Sequence, residues 1–145
     1  MNKGISGLVV LLILLGCSKE PSPRLGIQEG ILTPCPDKPN CVSSQASGSK
    51  HRMPPLPYLG TKNESRDRII EILGDMKRSK IVNTSDTYIH VQFRSRFWRF
   101  VDDVEFCFDD AARLVHFRSA SRVGYYDFNV NRKRMSAISS LYSKR

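Results

Sequence analysis

Val104-Glu105-Phe106-Cys107-Phe108-Asp109 alternates apolar and polar side chains at every step. The same period of two runs through Ile89-His90-Val91-Gln92-Phe93-Arg94 before it and Val115-His116-Phe117-Arg118 after it. Successive side chains of a strand point to opposite faces, so each stretch predicts a β-strand with one apolar face. Residues 81–84 predict a further short strand ahead of a Ser85-Asp86 turn. Asp109-Asp110-Ala111-Ala112 predicts a hairpin turn. Connections this short make the strands antiparallel.

Helical spacing flanks the strands. Ile69, Ile72, Leu73 and Met76 fall at i, i+3, i+4 and i+7. They predict a helix capped by Asn63 or Ser65 and running to about Arg78. Met135, Ile138, Leu141 and Tyr142 form the stripe of a last helix that begins near Asn129, with Asp127 or Asn129 as its cap. The fold class expected is α+β: an antiparallel sheet of three or four strands, in the order α-β-β-β-β-α, with two helices over one face. No internal repeat is visible.

The N-terminus carries a different kind of signal. Lys3 precedes the apolar run Leu8 to Leu15, and Leu14-Leu15-Gly16-Cys17 closes it. Eight apolar residues are too few to span a bilayer, which needs about 20. The pattern reads as a bacterial lipobox, with residues 1–16 as signal peptide and Cys17 as the lipid acceptor. An ordinary cleaved secretion signal is the alternative. Several acyl chains make a lasting membrane anchor where one does not. Ser18 and Lys19 follow Cys17, and neither is the aspartate associated with inner-membrane retention, so the outer membrane is favoured in a Gram-negative cell. Residues 17–30 read as a lipidated tether and residues 31–145 as one α+β domain. Pro34, Pro36, Pro39, Pro54, Pro55 and Pro57 mark an irregular segment ahead of the first helix.

The chain has 145 residues, with 23 Lys and Arg against 14 Asp and Glu. Residues 131–145 contain Arg132, Lys133, Arg134, Lys144 and Arg145 and no acid. Such a surface suits lipid headgroups or anionic polysaccharide, or it is only a solvated basic face. Export argues against a nucleic-acid partner. Of four cysteines, Cys35 and Cys41 enclose the turn-rich Pro36-Asp37-Lys38-Pro39-Asn40. A disulfide is the default reading in an oxidising envelope. A metal site is the alternative, weakened by the lack of a second thiol pair or a histidine cluster. Cys107 is left over as a quiet thiol. His51, His90 and His116 are scattered and form no Cys–His pair. No cofactor is implied.

Phe117 to Arg132 is the stretch suited to a site. It leaves a strand, passes Gly124 and enters a helix, with arginines, serines and tyrosines ahead of the helix start. Free N–H groups and the helix dipole favour an anion there. Arg118, Ser119, Ser121, Arg122 and Arg132 are the expected ligand contacts, with Asp102, Asp103 and Asp127 holding the arginines in place. Alternatively the Arg–Asp pairs are a folding staple and nothing more. Asp102 and Asp103 are strand neighbours on opposite faces, poorly placed to share one substrate. Ser119 and Ser121 lack an evident base, and no phosphate loop is present. The sequence thus points to a non-enzymatic module that binds an anionic ligand or an envelope protein. An envelope hydrolase or transferase using the same arginines, or a purely structural accessory protein, are the alternatives.

Three blocks also carry a resemblance. Thr33-Pro34-Cys35-Pro36-Asp37-Lys38-Pro39-Asn40-Cys41-Val42-Ser43-Ser44, Phe100-Val101-Asp102-Asp103-Val104-Glu105-Phe106, and Arg118-Ser119-Ala120-Ser121-Arg122-Val123-Gly124 with Asp127 and Asn131-Arg132 occur in order. Together they resemble the family known as domain of unknown function 1499, over about residues 31–142. Tyr125-Tyr126 and Phe128-Asn129 stand where the family pattern often has serine and glycine. The resemblance implies an envelope lipoprotein or membrane-linked protein. It brings no reaction with it, so no catalytic residue carries over.

Overall fold

A computed structural model of the chain describes residues 24–144. The expected signal peptide (residues 1–16), the expected lipid acceptor Cys17 and the expected tether up to residue 23 lie outside them.

Two layers pack on a central sheet. In chain order the elements are β1 (Ile27–Gln28), β2 (Ile31–Leu32), β3 (Cys41–Ser43), β4 (Leu56–Pro57), α1 (Lys62–Asp75), β5 (Ser79–Thr84), β6 (Tyr88–Arg94), β7 (Val101–Asp109), β8 (Leu114–Ser121) and α2 (Val130–Ser143). The α+β class holds, and every strand pairing is antiparallel. The strand count and order need correction. The main sheet has six strands, ordered β3-β8-β7-β6-β5, with β4 also on β8, and β1-β2 form a separate hairpin. Four short strands therefore precede α1. Two or three residues show no period, and Pro57 within β4 disguises it as loop. Both β3 and β4 lie on the same edge of β8, opposite its two halves. Ile27–Gln28, placed in the tether by sequence, instead pair with β2 through a tight turn. Glu29 and Gly30 take φ of 51° and 79° there, as two-residue hairpins require.

The period-two pattern sets the layers. Ile89, Val91, Phe93, Val104, Phe106, Val115 and Phe117 turn one face of the sheet to α1 and α2. Ile69, Ile72 and Leu73 meet them from α1, and Met135, Ile138 and Tyr142 from α2. Each such side chain contributes about 1.5–3 kcal/mol when fully buried. Leu141, expected in the stripe, is exposed. The α1 helix starts at a capping box made by Thr61 and Glu64, not at Asn63 or Ser65, and ends at Asp75. Gly60, at φ 71°, leaves room for the Glu64 carboxylate, which a Cβ there would strike. Asp127 caps α2, accepting from Asn129 N and Asn131 N.

The other face of β6, β7 and β8 carries polar groups: His90, Asp103, Glu105, Cys107 and Arg118, all buried. The chain from Arg24 to Asn40 lies over part of it like a strap. Gly26 N donates to Glu105 Oε1, and the Cys107 thiol faces Gly30 O. Burial, and then Asp109, push the Cys107 thiol up, away from the reactive thiolate.

Cys35 and Cys41 form a disulfide with Cα atoms 5.7 Å apart, which ties the strap to β3. A loop this small adds about 2 kcal/mol on the chain-entropy estimate. Cys35→Ser/Cys41→Ser should lower the urea midpoint by the corresponding amount. An unchanged midpoint would show that packing alone holds the strap.

Candidate functional site

Strand alternation splits the expected site in two. Along β8, Arg118 faces the strap, as does Arg122 just beyond the strand's end, while Ser119 and Ser121 turn toward α2. The Ser119 hydroxyl donates to Asn131 Oδ1, and the Ser121 hydroxyl accepts from Asn131 Nδ2. Arg132 is elsewhere again. It donates to the carbonyls of Lys50 and Arg52 and pins that loop to α2. Arg118, Ser121 and Arg122 line one cleft, and Ser119 and Arg132 do not, so the five residues are not one constellation.

The acids divide in the same way. Asp103 accepts from Arg122 through two bonds, Nε at 2.7 Å and a terminal nitrogen at 2.9 Å, and His90 Nε2 lies 2.8 Å away. Burial pushes the Asp103 carboxyl up, but the bonds from Arg122 and His90 outweigh it and hold the group below its ordinary range. Asp102, on the helix side, pairs with Arg134 at 2.6 Å and with none of the three expected arginines. Asp127 holds no arginine and serves only α2. The partner of Arg118 is Glu105, 3.2 Å away and fully buried. Glu105 also accepts from Tyr88 OH and Gly26 N, each at 2.6 Å.

Between strap and sheet lies a cleft of about 280 Å³. Arg24, Lys38, Arg118 and Arg122 bring four cations to it against one acid, Asp103, and Pro34 and Pro36 wall one side. Two buried polar atoms among its lining residues have no hydrogen-bond partner among the described residues: Arg118 Nε and Asn40 Oδ1. Buried donors and acceptors are nearly always satisfied, so each orphan marks a place for a partner. Asn40 is fixed by its own bonds. Its Nδ2 donates to Gly124 O, and its carbonyl accepts from Ser121 N and Asn131 Nδ2. Arg118 is held by Glu105, leaving its Nε as a fixed donor.

A serine, a histidine and an acid do come into line elsewhere. His116 Nδ1 is 3.2 Å from Ser44 Oγ, and its Nε2 is 3.8 Å from Asp109. Burial lowers the His116 pKa, opposed by Asp109. Ser44, however, is buried, and its hydroxyl accepts from Phe117 N. That bond stitches the end of β3 to β8 and gives the hydroxyl no open approach. Among the described residues, no group of three or more His, Cys, Asp or Glu is placed to hold a metal.

Residues 31–141 match the family described as protein of unknown function (DUF1499). The chain belongs to this family. The DUF1499 segment begins in β2 and ends in α2, and it takes in the disulfide and every cleft residue except Arg24. No curated protein and no solved structure matches the chain.

Sequence reasoning missed Asn40, Arg24 and Lys38 as parts of the cleft, and Arg134 and Asn131 as the polar link between β8 and α2. One signal was available for part of this. The alternation that separates Asp102 from Asp103 also separates Arg118 from Ser119, and it aligns Arg118 with Glu105 across neighbouring strands.

Proposed function

We propose that this DUF1499 chain is a membrane-anchored envelope lipoprotein whose domain binds a small anionic ligand in the cleft between strap and sheet, without catalysing a reaction on it. The observation that carries the reading is Arg118. The residue is 5% exposed and its Nε has no partner among the described residues, in a cleft where cations outnumber acids. Guanidinium groups suit phosphate and carboxylate oxygens because their donors are planar and fixed. Asn40 Oδ1 adds an acceptor, so the favoured ligand is an anion that also carries a hydroxyl or an N–H. The anchor rests on the lipobox at Cys17. No helix among the described residues is long and apolar enough to cross a membrane.

Calorimetry with inorganic phosphate and pyrophosphate on the purified full chain tests this. Saturable binding that weakens as salt rises is expected. Arg24→Ala/Lys38→Ala, both at exposed positions, should weaken it roughly tenfold while leaving the melting temperature within a degree or two. Failure of both anions and of small phosphorylated or carboxylated alcohols to bind would remove the reading.

A further inference from the structure

The end of the sheet that holds the cleft also carries exposed aromatic side chains. The β6–β7 loop presents Phe97 and Trp98, each 79% exposed, with Phe100 beside them. The β8–α2 loop presents Tyr125, Tyr126 and Phe128, all exposed, and the last two stack edge to face with ring centres 5.2 Å apart. A backbone bond from Arg122 N to Val101 O places these loops side by side, and Ser95 N to Phe100 O closes the β6–β7 loop on itself. The turn before β5 joins the same end, through Arg94 N to Arg78 O.

Single exposed apolar residues need no explanation, but six large ones on two adjoining loops do. The charges around them have one dominant sign. Lys77, Arg78, Arg94, Arg96 and Arg99 are all exposed, and no acid occurs from Met76 to Arg99 except Asp86, at the opposite end of β5. Asp102 and Asp103, just past Phe100, are buried and paired with Arg134 and Arg122, and Asp127 is committed to the α2 N-terminus. Arginine beside Trp, Tyr and Phe is the composition that settles at a bilayer interface, where rings lie at headgroup depth and cations meet anionic lipid.

The path of the chain indicates the same occupant. Arg24 lines the cleft beside Arg122 and Gly124, at the aromatic end. Six residues lie between it and Cys17, seven steps of chain that reach at most about 25 Å. An acyl anchor on Cys17 would hold this end, not the opposite one, against the membrane.

We propose that the loops Ser95–Phe100 and Arg122–Phe128 dock into a bilayer surface rich in anionic headgroups, turning the cleft mouth toward the lipid. The orientation rests on the anchor reading, and the test separates the two. Trp98 is the single tryptophan of the chain, so all tryptophan emission reports this tip. The full chain, purified from bacterial membranes, is reconstituted into phosphatidylcholine vesicles with or without phosphatidylglycerol. Intact mass reports acylation of Cys17 independently.

The expected result is a blue-shifted Trp98 emission that is quenched by bromine-labelled acyl chains and shielded from iodide, most strongly with phosphatidylglycerol. Arg96→Gln/Arg99→Gln should shift docking about thirtyfold toward the free state, since each arginine contributes about 1 kcal/mol at an anionic surface. A Trp98 that stays open to iodide in every vesicle overturns the proposal, and if the mass shows acyl chains the anchor survives that failure. A blue shift that depends on protein concentration without lipid names a second copy as the occupant and also overturns it.

Discussion

Glu105→Ala is expected to lower the unfolding free energy by about 3–5 kcal/mol, the cost of removing one partner from a buried ion pair. That is a large part of the roughly 5–15 kcal/mol that holds a domain folded. Three groups lose their acceptor together: the Arg118 guanidinium, Tyr88 OH and Gly26 N. Arg118 is 5% exposed, so water replaces little of the lost carboxylate. Glu105→Gln keeps an acceptor for Tyr88 and Gly26 and loses only the charge, so it should cost less. The double change Glu105→Ala/Arg118→Met should recover part of the loss, because no unpaired charge then remains. Urea unfolding of the four proteins measures this. A loss below about 1 kcal/mol in Glu105→Ala would mean that the pair is well hydrated and the strap does not seal it.

Asp103→Asn should move stability and binding in opposite directions. Asp103 is 1% exposed and neutralises Arg122 at the cleft floor. Its loss as an anion should weaken folding by about 1–3 kcal/mol, as a buried charge-assisted bond does. The same change raises the charge of the cleft by one unit and frees Arg122, so phosphate or pyrophosphate should bind roughly tenfold tighter. Functional sites commonly give up stability in this way. The pH dependence has a fixed sign. A carboxyl held below its ordinary range contributes stability above the unfolded value near 3.9, and that contribution is lost as pH falls through the folded value. Between about pH 5 and pH 2 the native chain should therefore lose stability more steeply than Asp103→Asn. Parallel acid limbs for the two proteins would show that Arg122 and His90 do not hold Asp103 as the geometry indicates. Unchanged or weaker anion binding would place the ligand away from Arg122.

The strands and helices that form the core were legible because their patterns are long. Six residues of alternation in β7, at positions 104–109, and the Ile69–Leu73 stripe in α1 leave little choice of face. The strands β3 and β4 were not legible. They are held by β8, not by their own period, and a long-range pairing leaves no local mark. Thr61 and Glu64 did leave one, since a threonine followed three residues later by glutamate is a capping signature. It was masked by Asn63 and Ser65, which lie closer to the apolar stripe. At the site, Arg118 and Arg122 could be read as a pair because they recur on one strand face. Asn40, Lys38 and Arg24 could not, because they reach the cleft from a segment whose path depends on a disulfide and on contacts far along the chain. Glu105 Oε1 and Gly26 N, for example, are 79 positions apart.

The strap also sets how the domain bears load. Any pull on the chain ahead of Arg24 falls first on Gly26 and the β1-β2 hairpin, which a few hydrogen bonds hold to the sheet. Peeling this hairpin would uncover Glu105 and then Cys107. It would stop at Cys35, because the covalent bond to Cys41 passes the force into β3 and across to β8. The cleft wall from Pro36 to Asn40 lies behind that stop. Tension on the N-terminal segment could therefore strip one side of the mouth while the side carrying Lys38 and Asn40 kept its shape.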